Sequence, residues 1–153
     1  MIVEELQSKS VKDVIKVKTS IPITGTIIEA VEKMIKDKTG VIAVLEPDSN
    51  KFLGLFTKRH LLRRVILLNR EKSELISSVF TPNPLSILDS SNLDEAFVKM
   101  YEFNYKYLPV VNEFNEFFGF IVAEDLLRFL EEQFPETIST AQSKKSFTTR
   151  DGA

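Results

Sequence analysis

The chain has 153 residues, 43% hydrophobic and 27% charged, which is typical of one globular domain or of two small domains sharing a core. A net charge of -2 excludes a general electrostatic attraction to nucleic acid or anionic lipid, and the lack of cysteine excludes disulfides and thiol catalysis. The longest apolar run, 117–123, is far shorter than the roughly 20 residues of a membrane-spanning helix, so no membrane insertion is expected. The N-terminus lacks the pattern of a secretory signal, and we therefore expect an intracellular, cytoplasmic protein.

The first half predicts a series of helix, strand, helix, strand, strand and helix. Ser10 is a cap for a lead-in turn, and the residues around Pro22 are extended because the residue before proline avoids the helical region. Thr26 caps a helix over 27–36 whose apolar residues share one face: Ile27, Val31, Met34 and Ile35. Residues 41–45 predict a strand buried on both sides, and 52–57 return as its hairpin partner. The helix over 58–68 carries one predicted apolar face: Leu61, Leu62, Val65 and Leu68.

The second half repeats this order at a spacing of 66 residues, which falls to 65 after a shorter turn. The apolar helix stripe is reproduced by Leu93, Phe97, Met100 and Tyr101. We therefore predict an N-terminal lead (1–9), two repeats (10–69 and 70–134) and a polar tail (135–153). The composition of that tail predicts disorder.

This order of elements, present twice, resembles a pair of cystathionine-β-synthase (CBS) domains, the Bateman module. The residues that carry the resemblance are 73–84, Leu108-Pro109-Val110-Val111 and 119–127. The resemblance implies an α/β fold of two pseudo-twofold-related repeats, each a small, mainly β sheet flanked by helices. The sheets would pack against each other in one compact module, and two modules would form a homodimer. It also implies that adenosine-containing ligands bind in clefts between the repeats for regulation.

The family's ligand motif, Gly-x-x-Thr-x-x-Asp, is divided between the two repeats. The first repeat keeps Thr57 but has His60 at the carboxylate position. The second keeps Asp125 but has Val122 at the hydroxyl position. In the family the hydroxyl faces phosphate or ribose, and the carboxylate accepts hydrogen bonds from the ribose.

Each of these positions also has a structural interpretation. Thr57 is suited to capping the following helix, which we favour over a ligand contact. Asp125 stabilises any first helical turn, and here the two interpretations are evenly balanced. His60, the only histidine, is interpreted as a solvated residue at a helix start, with ligand contact as the alternative.

A basic run follows Thr57 and has no counterpart in the second repeat. Lys58 and Arg59, with Arg63 and Arg64, surround His60, whereas the second repeat has Glu124 and Asp125 there. We hypothesise that the first cleft accepts phosphate-rich ligands and the second a ribose with fewer phosphates. A solvated helix face, with Arg63 and Arg64 pointing outwards, is the equally weighted alternative.

Several residues of the second repeat complete the set of candidates. Tyr107 and Tyr101 are expected in the core, whereas Tyr105, in a turn, is the better candidate for a ligand contact. Pro109 is expected at a strand edge or start, and the resemblance places its segment beside the adenine. Thr81, which enters the second extended piece, joins the ligand-binding residues that the resemblance implies.

The sequence contains no nucleophile paired with a base, so we expect no enzyme and no catalytic cofactor. We interpret the chain as a regulatory module that binds AMP, ADP or ATP and acts on a separate effector protein. The alternative is a scaffold that dimerises or docks to a partner without any small molecule.

Overall fold

The first half of the chain folds into the predicted series of elements. The computed structural model describes residues 2–133 and 135. In chain order the first half contains α1 (Ile2–Gln7), a 3-10 turn (Val11–Val14), β1 (Ser20–Pro22), α2 (Ile27–Lys36), β2 (Val41–Leu45), β3 (Phe52–Thr57) and α3 (Lys58–His60), which continues as a π-helix (Leu61–Ile66). Helix α1 was not predicted; it packs against the second repeat through buried Leu6.

The second half repeats the pattern with shorter outer strands. It contains a 3-10 turn (Ile76–Ser78), β4 (Thr81–Pro82), β5 (Ile87–Leu88), α4 (Leu93–Phe103), β6 (Tyr107–Val111), β7 (Phe117–Val122) and α5 (Ala123–Gln133). The predicted α/β fold with two repeated units is therefore confirmed.

Side-chain caps begin the early helical elements, as the sequence predicts. The Ser10 hydroxyl accepts a hydrogen bond from the Lys12 amide at 3.2 Å, and the Thr26 hydroxyl accepts one from the Glu29 amide at 3.2 Å. The Glu29 carboxylate in turn accepts from the hydroxyl and amide of Thr26, and these hydrogen bonds lower its pKa. Each cap satisfies backbone donors that the helix itself leaves unpaired.

The strands form two sheets, one with the order β1-β2-β3-β4 and one with the order β5-β6-β7. In the first sheet β2 and β3 form an antiparallel hairpin, and β1 pairs parallel with β2. In the second sheet β6 and β7 form an antiparallel hairpin, and β5 pairs parallel with β6. The two inner faces pack together as one apolar layer: Val41, Ala43, Leu45, Phe52, Leu55, Tyr107, Val111, Phe117 and Phe120. The sheet-against-sheet packing expected from the sequence is thus present.

The two repeats exchange their lead-in segments. Strand β4, which opens the second repeat, pairs with β3 of the first sheet, and Val17 of the first repeat bridges Phe120 of the second sheet. Ile76 and Val79 fill the core beneath α2, whereas Val11 and Val14 fill the core beneath α4. Each hydrophobic core is therefore completed by residues from the other repeat.

A reciprocal pair of asparagines joins the two hairpin turns. The Asn50 side-chain amide donates to the Phe117 carbonyl at 2.7 Å, and that of Asn115 donates to the Phe52 carbonyl at 2.8 Å. The Phe52 and Phe117 amides return hydrogen bonds to the Asn115 and Asn50 carbonyls. The rings of Phe52 and Phe117 stack between these contacts, with centroids 5.6 Å apart. These matched hydrogen bonds lie at equivalent positions of the two repeats, as a pseudo-twofold relation between the repeats requires.

The helix after β3 does not bury the apolar face that the sequence predicts. Leu61 and Val65 pack inwards, but Leu62 is 49% exposed and Leu68 is 63% exposed. From Leu61 the chain is π-helical, with i to i+5 hydrogen bonds that rotate the outer residues away from a 3.6-residue spacing. The prediction was wrong for Leu62 for this reason, and for Leu68 because the π-helix ends at Ile66.

Two further predictions are corrected. The core position expected for Tyr101 was wrong: its side chain is 51% exposed, and that of its counterpart Ile35 is 70% exposed. Only the first three residues of each apolar stripe face the core. Pro109 lies in the middle of the central strand β6, opposite Phe120. The Phe120 amide donates to the Val17 carbonyl instead, and β5 pairs only with Val110 and Val111 of β6. Neither neighbouring strand therefore requires the amide hydrogen that proline lacks.

The predicted tail, 135–153, lies outside the described residues apart from Pro135. Among the described helices, none has the length and apolar character needed to cross a membrane.

Candidate functional site

The junction of β3 and α3 is closed by a reciprocal pair of hydrogen bonds. The Thr57 hydroxyl accepts from the His60 amide, and His60 Nδ1 accepts from the Thr57 amide, both at 3.2 Å. This arrangement is a capping box in which histidine replaces the usual glutamate or glutamine. The preferred interpretation of Thr57 as a helix cap is confirmed.

The interpretation of His60 as a solvated residue was wrong. Its side chain is only 4% exposed, and its ring lies 6.1 Å from that of Phe56. Because Nδ1 accepts a hydrogen bond, it is the unprotonated nitrogen of the ring. Thr57 is also fully buried, so both motif side chains of the first repeat lie beneath the surface. Ligand contact by either residue stays a prediction.

Replacing Thr57 with valine is expected to lower the free energy of unfolding by about 1–2 kcal/mol, since it leaves the buried His60 amide without its acceptor. Urea unfolding followed by circular dichroism measures the change. Thr24→Val, at an exposed position, is the matched control. Equal stability of the two variants would contradict the cap.

The basic residues after Thr57 divide into two groups. Lys58, Arg59 and Arg63 are exposed, as a solvated helix face requires. Arg64 is partly buried, and its Nη1 donates to the Val79 carbonyl at 2.9 Å and to the Thr81 hydroxyl at 2.8 Å. Burial lowers the pKa of the guanidinium from its ordinary value. The outward orientation considered for Arg64 was wrong, because the exchanged segment 79–81 supplies both acceptors.

A cleft of about 510 Å³ lies beside Arg64. It is lined by residues of both repeats: Arg64, Phe80, Thr81, Pro82, Asn83, Pro84, Leu85 and Tyr105. Tyr105 is half-buried and stacks on Phe103 at a centroid distance of 6.1 Å. The structure therefore brings two predicted site residues, Thr81 and Tyr105, to the same cleft as the Arg64 guanidinium. We call this space the basic cleft.

The junction of β7 and α5 differs in charge and in contacts. Val122 is half-buried against the inter-sheet layer and has no hydroxyl to offer. The Asp125 carboxylate, whose side chain is 18% exposed, pairs with Arg128 at 2.9 Å. Whether Asp125 or Val122 contacts a ligand stays a prediction.

A second cleft, of about 390 Å³, lies at the exchanged lead-in of the first repeat. It is lined by Lys16, Val17, Lys18, Thr19 and Asp37. The Thr19 hydroxyl donates to the Asp37 carboxylate at 2.6 Å. Sequence reasoning did not select these residues, although 16–19 correspond, at the repeat spacing of 65, to 81–84, which line the basic cleft. The internal alignment was the signal that could have found them.

The sequence of this chain matches a known protein family. A model of the CBS domain matches residues 3–67 and 76–132, which together form most of the chain. The chain belongs to the CBS domain family. The resemblance seen in the sequence is therefore confirmed.

Two solved structures share the fold of this CBS pair. The CBS domain protein PAE2072 from Pyrobaculum aerophilum, complexed with AMP, is 21% identical with a TM-score of 0.71, covering 89% of this chain and 99% of that chain. The CBS domain pair of MJ0100, in complex with 5′-methylthioadenosine and S-adenosyl-L-methionine, is 21% identical with a TM-score of 0.70, covering 80% and 99%. At this identity the comparison establishes the shared fold.

A curated relative extends beyond the CBS pair. The CBS domain-containing protein CBSCBSPB1 of Arabidopsis thaliana is 38% identical over 95 residues. That match covers 60% of this chain but only 17% of the Arabidopsis protein.

The remaining predicted site residues of this CBS pair lie in the core. Tyr107 is 6% exposed and packs edge-on against Phe120, with centroids 6.5 Å apart, which confirms the core position preferred for it. Pro109 is buried in β6. Within residues 2–133 and 135, no cluster of three or more histidine or acidic side chains could hold a metal ion.

Proposed function

We propose that this CBS pair is a regulatory module that binds an adenine nucleotide and acts on a separate effector protein. The observation that carries the proposal is the basic cleft, in which a half-buried arginine of the first repeat meets the lead-in of the second. A guanidinium with donors beyond Nη1 is suited to phosphate oxygens. The fold is also that of CBS pairs solved with AMP and with adenosine-containing ligands.

Arg64 offers a route from ligand binding to a change of shape. Its Nη1 ties the π-helix of the first repeat to the Val79 carbonyl and the Thr81 hydroxyl of the second. A phosphate that contacts this guanidinium favours one arrangement of these two segments over others. A ligand can shift an equilibrium only through such a difference in affinity between two states. We propose AMP, ADP or ATP as the ligand and a cytoplasmic homodimer as the acting form.

Replacing Arg64 with alanine is expected to weaken the binding of ADP and ATP by about tenfold or more, because charge-assisted hydrogen bonds to phosphate are lost. Isothermal titration with AMP, ADP, ATP and S-adenosylmethionine measures the affinities. Arg63→Ala removes the same charge from an exposed neighbouring position and is the matched control. Thermal unfolding of each variant verifies that it is folded.

Two results would contradict the assignment of Arg64. An equal loss in Arg63→Ala would show that bulk charge alone attracts the nucleotide. Equal affinity of wild type and Arg64→Ala for every nucleotide would move the phosphate site elsewhere. Asp125→Ala tests the second junction in the same titrations, where we expect the larger loss for AMP.

A scaffold without a small-molecule ligand is the second candidate. It is favoured by the closed motif of the first repeat, where Thr57 and His60 bond to each other, and by the pairing of Asp125 with Arg128. A ligand at a hundred times its dissociation constant adds about 2.7 kcal/mol of stability. A thermal-shift panel without any stabilisation would therefore favour the scaffold.

A further inference from the structure

Three backbone amides find acceptors where β3 passes into α3. The Lys58 amide donates to the Gly40 carbonyl at 3.0 Å, and the His60 amide donates to the Thr57 hydroxyl at 3.2 Å. Neither of these acceptors titrates near neutral pH. The third amide, that of Thr57, donates to His60 Nδ1 at 3.2 Å. An imidazole nitrogen accepts only in the neutral ring, and imidazole titrates close to neutral pH, so this hydrogen bond depends on pH.

A proton on Nδ1 has no favourable place in this arrangement. The protonated nitrogen becomes a donor that faces the Thr57 amide, which is itself a donor. Thr57 is fully buried and His60 is only 4% exposed, so little water is available to replace the lost acceptor. A buried amide without a partner and a buried positive charge are both costly. Protonation therefore favours a rearranged junction over the closed one.

The charges along the same segment oppose a protonated ring as well. Residues 57–66 contain four basic side chains and no acidic one: Lys58, Arg59, Arg63 and Arg64. A positive charge on His60 would join these four within one short stretch of helix, and like charges disfavour each other.

The other elements around the junction do not offset this. Strands β2 and β3 and the exchanged segment 76–82 contain no charged side chain. Helix α2 contributes the wall of an apolar groove beside Leu61, and Lys38 lies just after its end. From β6, the Tyr107 hydroxyl lies where a Cβ atom on Gly40 would be, near the Lys58 side chain. The charged residues of α2 itself are exposed: Glu29, Glu32, Lys33 and Lys36.

The helix that begins at this junction carries Arg64. The guanidinium ties that helix to the second repeat through the Val79 carbonyl at 2.9 Å and the Thr81 hydroxyl at 2.8 Å. Arg64 follows His60 by four residues, about one helical turn. A change at the cap therefore reaches the turn that holds the two repeats together.

We propose that His60 is a proton-sensitive lock on this helix. The neutral ring holds the junction closed, and protonation releases the start of the helix and loosens the tie between Arg64 and the second repeat. The second repeat has Asp125 at the equivalent position, a carboxylate that pairs with Arg128 and belongs to a class that titrates at lower pH. The response to mild acid is thus built into the first repeat. The lock goes beyond the proposed nucleotide binding and does not depend on it.

Nuclear magnetic resonance of the untagged protein observes the lock directly, because His60 is the only histidine. We expect a neutral ring with its proton on Nε2. The ring of the folded protein is expected to stay neutral at about pH 6 and below, where the ring of the urea-unfolded chain is already protonated. A proton on Nδ1, or the same titration in folded and unfolded protein, would overturn the proposal.

His60→Gln is the matched variant, because glutamine is an acceptor suited to this position of a capping box and does not titrate. Between about pH 7.5 and about pH 5.0, we expect the unfolding equilibrium constant of wild type to rise about 30-fold more than that of the variant. This is the full effect of one histidine with an ordinary pKa of about 6.5 that is protonated only in the unfolded chain.

Urea unfolding at the two pH values measures these constants. Because folding favours the neutral ring, the stability that it contributes is present above about pH 6.5 and is lost as the pH falls below that value. The carboxylates are common to both proteins, so their contributions cancel in the comparison. An equal pH dependence of wild type and His60→Gln would contradict the lock. The ring titration of wild type decides the question if the variant does not fold.

Hydrogen exchange tests the release of the helix. At about pH 5.5, below the ordinary pKa of histidine, we expect the amides of 61–67 and 79–82 to exchange faster in wild type than in His60→Gln. Equal exchange in these two segments would overturn the connection between His60 and Arg64.

All of these measurements are made without nucleotide, so they are independent of the proposed function. A lock that operates in a protein with no affinity for nucleotides would leave this inference standing and remove the proposed function. A nucleotide-binding protein whose His60 titrates as in the unfolded chain would do the reverse.

Discussion

Replacing Phe120 with alanine is expected to lower the free energy of unfolding by about 4 kcal/mol, because it opens a cavity where the two sheets meet. The ring is fully buried. It packs edge-on against Phe117, with centroids 5.1 Å apart, and against Tyr107 at 6.5 Å. Both aromatic contacts are lost together with the buried area, and the neighbouring backbone, which also receives Val17, limits how far the site can collapse.

Urea unfolding measured by circular dichroism provides the test. Phe118→Ala is the matched control, because it removes the same side chain from the adjacent residue of β7, where the ring is 40% exposed. We expect the control to cost much less than Phe120→Ala. Similar losses for the two variants would mean that the inter-sheet layer contributes no more than a surface position.

Replacing Gly54 with alanine is expected to cost about 3 kcal/mol, although only one methyl group is added. A Cβ atom on Gly54 would meet the Thr81 carbonyl oxygen and would lie 2.7 Å from atoms of the Phe80 ring. The carbonyl belongs to β4, which pairs with Gly54 itself, so the backbone would have to move. The exchanged strand is therefore the element that this substitution displaces.

The same unfolding assay, with Leu53→Ile as a volume-conserving control on the neighbouring residue, measures this effect. Displacement of β4 also moves Thr81 away from Arg64. Under the proposed function, the basic cleft of Gly54→Ala is therefore expected to bind nucleotide more weakly than that of the control. A variant as stable as wild type would contradict the close approach of β3 and β4.

Local patterns predicted most of the elements. The continuous apolar run at 41–45 became a strand buried along its whole length, and the internal repeat located its counterpart β6. Thr26 and Thr57 were recognised as caps because capping depends on residues only three positions apart. These patterns can be read from the sequence without knowledge of the tertiary structure.

What the sequence did not reveal depends on contacts between distant segments. The partner of β4 is chosen by the packing of the two repeats, so the environment of Arg64 beside Thr81 was not predictable from its neighbours in the chain. His60 is polar and follows two exposed basic residues, so its sequence neighbours did not indicate that it is buried. In the structure it accepts a hydrogen bond from the Thr57 amide and contacts Phe56. The π-helical hydrogen bonding after Leu61 likewise has no marker in a 3.6-residue pattern.

The exchange of lead-in segments prevents either repeat from forming a complete core by itself. A single repeat cut from it would lose Ile76 and Val79 from one core, or Val11 and Val14 from the other. Such a half would have an open sheet edge and an unfilled cavity. Two copies of it could fill both by exchanging their lead-in segments. In the present chain this exchange occurs within one polypeptide, so each repeat needs the other to complete its core.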